Sequence, residues 1–137
     1  MKTSRKVLDA CAMLAYLRAE DGAEVVKTLL KDQSVECFAH AVNLCEVYYD
    51  FLKTDNAKNA KTAIQDLIES GVTKRDDMDS EFWMTAGRYK AEIRKISLAD
   101  CFALALTNRL QAELITSDHH EFDPIAETGR FQIFFIR

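Results

Sequence analysis

Proline is almost absent from this chain, one among 137 residues, and glycine occurs only four times. So little of either excludes a long flexible linker or a disordered tail, whose compositions favour them. No apolar run approaches the ~18 residues that a membrane-spanning helix needs. The apolar stretch inside MKTSRKVLDACAMLAYL is brief and interrupted by Asp9, a poor match to a signal peptide, so the expected location is the cytoplasm. The four cysteines, Cys11, Cys37, Cys45 and Cys101, fall singly among apolar neighbours with no C-x-x-C pair. That excludes the usual metal-clip spacing and points to reduced core residues. Basic charge is not in excess either: 18 Lys plus Arg stand against 22 Asp plus Glu, for a net charge of -4. A protein gripping nucleic acid by its phosphates alone would be basic. Nucleic acid here would need local basic patches or bridging cations.

What is present is a core. With 48% hydrophobic residues over 137, the chain is expected to form one globular domain, residues 1–137, that needs no disulfide or metal to hold it. Residues 6–8 read as a short buried strand leading into Asp9, followed by Met13, Leu14 and Leu17 at helical spacing. Residues 21–32 read as a helix opened by an Asp21–Glu24 capping box. A second buried strand is expected over residues 35–41, then a helix capped by Asn43 and carrying Glu46. Residues 58–70 make another helix, stopped by Gly71. After a polar turn at residues 76–79, a helix over 81–94 turns Phe82, Trp83, Ala86 and Tyr89 inward. Ser97 opens a helix with Asp100 in its first turn, a turn follows around Gln111, and a strand over 113–116 delivers Asp118. The stretch 130–137 reads as a buried or edge strand. Strands separated by helices favour a three-layer α/β fold, a central, mostly parallel sheet flanked by helices in a Rossmann-like arrangement.

In such a sheet ligands bind beyond the carboxyl ends of the strands, where helices begin. Asp9, Glu46, Asp100 and Asp118 come from distant parts of the sequence and would gather at that edge. Four unpaired carboxylates repel one another, so such a cluster holds cations or shifts its pKa values. Mg²⁺ and Mn²⁺ prefer carboxylate and water oxygens, and two such ions can support phosphodiester cleavage. A plainer reading competes: Asn43–Glu46 and Ser97–Asp100 both have capping-box spacing. Arg88, Lys90, Arg94 and Lys95 form either a solvated helix end or a phosphate-contacting rim beside Asp100. His119 and His120 read as loop residues, since no third ligand is spaced for them. Asp123 either accepts a hydrogen bond from a metal-bound water or starts the turn before Pro124; Glu121 is a weaker candidate. Tyr48, Tyr49 and Trp83 have helical spacing and read as core before they read as base-stacking platforms.

These residues resemble the PIN domain family, and in particular the VapC-type toxin ribonucleases of VapBC toxin-antitoxin pairs. The matching pieces are V-L-D ending at Asp9, V-N-L-C-E-V-Y-Y with Glu46, S-L-A-D-C-F-A-L-A-L with Asp100, and L-I-T-S-D-H-H-E-F-D with Thr116 and Asp118. The resemblance implies a metal-dependent endonuclease acting on single-stranded RNA. It implies that Asp9, Glu46, Asp100 and Asp118 bind Mg²⁺ or Mn²⁺ and position the attacking hydroxide, with Thr116 supporting by hydrogen bonding. It also implies a cognate antitoxin inserted into the acidic groove, and a homodimer. One departure stands out: where the family commonly has Ser, Thr or Asn after the first Asp, this chain has Ala10 and Cys11, which removes hydroxyl support for Asp9. The alternative reading is therefore a catalytically weak or silent module of the same fold that binds RNA or protein. A phosphatase using Asp9 as nucleophile finds little support, because such enzymes carry a second Asp where this chain has Cys11.

Overall fold

The computed structural model describes residues 4–137; the first three residues of the expected domain span and N-terminal segment lie outside the described residues. Five strands, β1 (Ser4–Leu8), β2 (Val35–His40), β3 (Val72–Arg75), β4 (Glu113–Thr116) and β5 (Ile133–Phe135), form a sheet in the order β3-β2-β1-β4-β5. Every pairing is parallel. Parallel neighbours require crossovers, and seven helices supply them. They are α1 (Ala10–Leu17), α2 (Ala23–Lys31), α3 (Ala41–Thr54), α4 (Ala57–Ser70), α5 (Ser80–Glu92), α6 (Leu98–Leu110) and α7 (His119–Glu127).

The three inner strands β1, β2 and β4 are buried on both faces, so successive residues feed opposite cores. Val7, Phe38 and Leu114 pack with α5, α6 and α7 through Phe82, Leu104, Leu106 and Phe122. Leu8, Cys37, Ala39 and Ile115 pack with α1 to α4 through Met13, Val26, Val47 and Leu67. Each large apolar side chain so buried contributes roughly 1.5–3 kcal/mol, which makes the three layers the expected outcome of this pattern. Gly71 ends α4 in the left-handed region at φ 119°, where other residues are strained. Gly22 (φ 94°) lies so close to the chain end that a Cβ would stand 2.7 Å from the Ile136 side chain.

The structure departs from the sequence reading in several places. β3 was not anticipated: its burial pattern has one fully buried residue, Val72, so no apolar run or alternation marks it. The cap of α3 is His40, whose Nδ1 accepts the Val42 N–H at 3.0 Å; Asn43 lies inside the helix. Gly22, not Asp21, precedes α2. The turn expected at Asp123–Pro124 is the middle of α7. Pro124 removes one helical N–H at an exposed position while burial of Phe122 and Ile125 holds the turn together. Trp83 is 45% exposed, because Phe82, Ala86 and Tyr89 alone form the inward stripe of α5. Cys37 and Cys101 are buried, but Cys11 is half-buried and Cys45 exposed.

Candidate active site

The order of the strands reverses at β1, with β2 on one side and β4 on the other, and the crevice at that switch point is where ligands of open α/β sheets bind. β1 and β4 both end there. Asp9 follows β1, donates its backbone N–H to the Ile115 carbonyl at 3.2 Å, and caps α1 by accepting the Ala12 N–H on Oδ1 at 2.8 Å. Its other oxygen, Oδ2, accepts from the Thr116 hydroxyl. That hydroxyl also accepts the Asp118 N–H at 3.0 Å. Thr116 thus ties the carboxyl ends of β1 and β4 together through side-chain chemistry. Asp118 caps α7, its Oδ1 accepting the Glu121 N–H at 3.0 Å.

Two more carboxylates arrive on helices. Glu46 lies one turn into α3, where Asn43 Nδ2 donates to its Oε1 at 3.2 Å and to the Ala99 carbonyl of α6 at 3.2 Å. Asp100 lies in the first turn of α6, its N–H donating to the Ser97 hydroxyl at 3.1 Å. The N-terminal ends of α1, α6 and α7 therefore meet at one spot, and their positive dipole ends favour anions there.

The electrostatics set this spot apart. Burial pushes the Asp9 carboxyl from an ordinary value of 3.8 up to about 7, opposed by the Thr116 and Ala12 hydrogen bonds and assisted by the charges of Asp118 and Glu46. Burial also raises Asp100 to about 9, with its hydrogen bond to Glu121 and the charges of Asp9, Glu121 and Glu46 adding to the rise. Glu46 is raised by burial, which outweighs the Asn43 hydrogen bond. The Cys11 thiol is held protonated by burial and by Asp9, Asp118, Asp100 and Glu46 around it. Among the described residues, no Lys or Arg forms an ion pair with any of these carboxylates; the ion pairs lie elsewhere.

This donor set fits a hard divalent cation. One oxygen each from Asp100, Asp118 and Glu121 lie within 4.8 Å of one another, the spacing of ligands around a single oxygen-coordinated ion. Asn43, whose amide nitrogen binds Glu46 and the Ala99 carbonyl, has its Oδ1 buried without a partner, and a buried acceptor of this kind is normally satisfied by protein or water.

Other residues weighed from the sequence lie differently. Asp123 is exposed and bonded to His119 Nδ1 at 2.8 Å, outside the acidic cluster. His119 is engaged by Asp123, by the Arg137 carbonyl at 2.7 Å and by stacking on Phe135; His120 is exposed. Tyr48 is half-buried and Tyr49 exposed. Lys90 donates to the Ile96 carbonyl at 2.6 Å and so braces the segment before Ser97. Arg88, Arg94 and Lys95 are exposed, the last two immediately ahead of the turn that carries Asp100. Two further residues of the site carry only weak sequence signals. Glu121 is brought in by the D-x-x-E spacing from Asp118, which returns an N3 side chain to the helix mouth. Asn43 stands three residues before Glu46, on the same helical face.

The sequence profile of the PIN domain matches residues 6–127. The chain belongs to the PIN domain family. No curated protein matches it in sequence, but solved structures do in fold. VapBC2 from Rickettsia felis, bound to a DNA fragment from its promoter, superposes with a TM-score of 0.72 at 13% identity, covering 96% of this chain and 98% of that one. VapBC-1 from nontypeable Haemophilus influenzae gives 0.69 at 22% identity, with 96% and 98% covered. Mycobacterium tuberculosis VapC20, a toxin that cleaves the sarcin-ricin loop, gives 0.72 at 12%, with 92% and 95% covered. At these identities the likeness is one of fold, the three-layer PIN architecture with its parallel sheet.

Proposed function

We propose that this PIN domain is a Mg²⁺- or Mn²⁺-dependent endoribonuclease that cleaves single-stranded regions of RNA. The observation that carries the reading is the group of raised, mutually repelling carboxylates at the switch point with no basic partner among the described residues. Asp9, Glu46, Asp100 and Asp118 would hold the metal. A bound divalent cation supplies Lewis-acid activation of water and stabilises charge on the phosphodiester oxygens. The chain's own part is to present oxygens in a preformed cradle: Thr116 fixes Asp9 relative to Asp118, and Asn43 fixes Glu46 relative to α6. Arg94 and Lys95, with Arg88 behind them, supply cations on which an RNA backbone can rest; Lys90 is committed to Ile96.

Membership of the family, together with solved neighbours that are toxin-antitoxin assemblies, supports a toxin role with a cognate antitoxin as partner. A homodimer and a single functional domain over residues 1–137 belong to the same reading. So does a cytoplasmic location: no helix among the described residues is long and apolar enough to cross a membrane. The departure at Ala10 and Cys11 favours the second reading, a weak or silent module, because a thiol stands where a hydroxyl would support the carboxylates.

The test is cleavage of a mixed set of structured RNAs with Mn²⁺, Mg²⁺ or EDTA, comparing the protein with Asp100→Asn. Metal-dependent cutting that vanishes in the variant supports the nuclease. No cutting by either protein, together with no calorimetric metal binding, supports the silent module.

A further inference from the structure

An isolated helix opening S-x-x-D closes a reciprocal box: the Ser hydroxyl accepts from the N–H of the residue three along, and that residue's carboxylate accepts the Ser N–H. Ser97–Asp100 has that spacing, and half of the box is present, the Asp100 N–H on Ser97 Oγ at 3.1 Å. The other half is not made by Asp100. The Ser97 N–H donates instead to Glu121 Oε1, at 2.7 Å, from a helix 24 positions further along. Glu121 is held for this by its own N–H on Asp118 Oδ1.

We infer that Glu121 is a positioning residue that caps α6 in place of Asp100, and by taking that hydrogen bond keeps the Asp100 carboxylate turned toward Glu121 itself and the other carboxylates. Without Glu121, the S-x-x-D spacing lets the Asp100 side chain itself take the Ser97 N–H, which would close the ordinary box and turn it away from Asp9 and Asp118. The contact also couples two elements of the site, since it fixes the first turn of α6 against the first turn of α7. The inference rests on the metal-site reading for its consequence but not for the capping contact, so the two can fail separately.

The experiment compares Glu121→Gln with Glu121→Ala. Gln keeps a side-chain oxygen at the same reach to accept from Ser97 and removes the charge; Ala removes both. The first readout is hydrogen exchange of the Ser97 amide by NMR in metal-free protein. Slow exchange in the parent and in E121Q, with fast exchange in E121A, is expected, and equal rates in all three would overturn the capping role. The second readout is Mn²⁺ affinity by calorimetry. Both variants lose the carboxylate oxygen that Glu121 offers a cation, and E121A is expected to bind about 10- to 100-fold more weakly than E121Q, as loss of an orienting partner does. Equal losses in E121Q and E121A would show that only the ligand oxygen matters and would overturn the positioning role. A parent protein with no saturable Mn²⁺ binding would sink the nuclease reading while leaving the exchange result to decide the cap.

Discussion

Two groups of carboxylates stand at the carboxyl edge of the same sheet, and they are treated oppositely. Beyond β3, Asp77 takes a bidentate pair from Arg75 at 2.8 and 2.9 Å, and Arg109 bridges Asp77 and Asp79. There the Arg75 hydrogen bond, ahead of that from Arg109, holds Asp77 well below the usual carboxylate range. Arg109 likewise holds Asp79 at about 2. The network extends inward, with Arg109 over the Phe82 ring and His40 Nε2 against the Asp77 carbonyl. Beyond β1 and β4, Asp9 and Asp100 have no guanidinium within reach, and burial drives them up. Acids matched to cations join β2, β3 and α6 into one unit. Acids left unmatched lower the stability of the metal-free fold, and such clusters hold cations or shift their pKa values. The difference marks the second group as the candidate site and the first as structure.

That contrast can be broken most directly at Asp100. Asp100→Asn should abolish metal-dependent RNA cleavage, a loss of about 100-fold or more given that even supporting groups at metal sites are worth 10- to 100-fold. The same change should raise the melting temperature of the metal-free protein, because it removes a buried, repelling carboxylate; a lower melting temperature would refute the unmatched-charge account.

At the other cluster Asp77→Ala should do the reverse. Cleavage should be retained, and stability should fall by about 1–2 kcal/mol in urea unfolding, the worth of charged hydrogen bonds discounted for partial solvent exposure.

The pH dependence separates the two groups by sign. Asp9 and Asp100 have folded values above their unfolded ones, so their contribution is complete below about pH 4 and is lost as pH rises through about 7 and 9. Asp79 has a depressed value, so its contribution is present above about pH 4 and lost as pH falls toward 2. The metal-free protein should therefore lose stability on the alkaline side, and saturating Mn²⁺ should restore it. An alkaline loss unchanged by Mn²⁺ in thermal melts would detach the raised carboxylates from any metal.

The smallest effect is expected at the rim. Lys95→Ala should weaken RNA binding at low salt and reduce the slope of log affinity against log salt by about 1, with no change in Mn²⁺ affinity. Asp123→Ala, far from the acidic cluster in its contacts, should leave Mn²⁺ affinity unchanged as well.

The sheet was legible wherever a strand is buried on both faces. Residues 113–116 read as a strand because Leu114 and Ile115 feed two cores at once, and the turn expected around Gln111 is present, with Gln111 ending α6 in the left-handed region. β3 was illegible because an edge strand with one buried residue carries no pattern. α7 was hidden by Pro124, a strong local signal that the burial of Phe122 and Ile125 overrides. Trp83 was placed one position off the stripe, since adjacent aromatics in F-W satisfy the helical period about equally well until packing chooses between them.

By itself the sequence determined the alternation of elements, the α/β class and the acidic side chains that close strands or open helices, because these follow from local periodicity and capping chemistry. Tertiary structure decided which distant partner each acid found. Ser97–Asp100 is the same capping box on paper whether or not it closes, and Asp77 and Asp100 are both acids near the start of a helix. Asp77 has Arg75 two residues away and gains Arg109 from α6, and for Asp100, Glu121 of α7 takes the bond that would have occupied it. The Arg109 and Glu121 contacts join segments tens of residues apart, which local sequence preference does not encode.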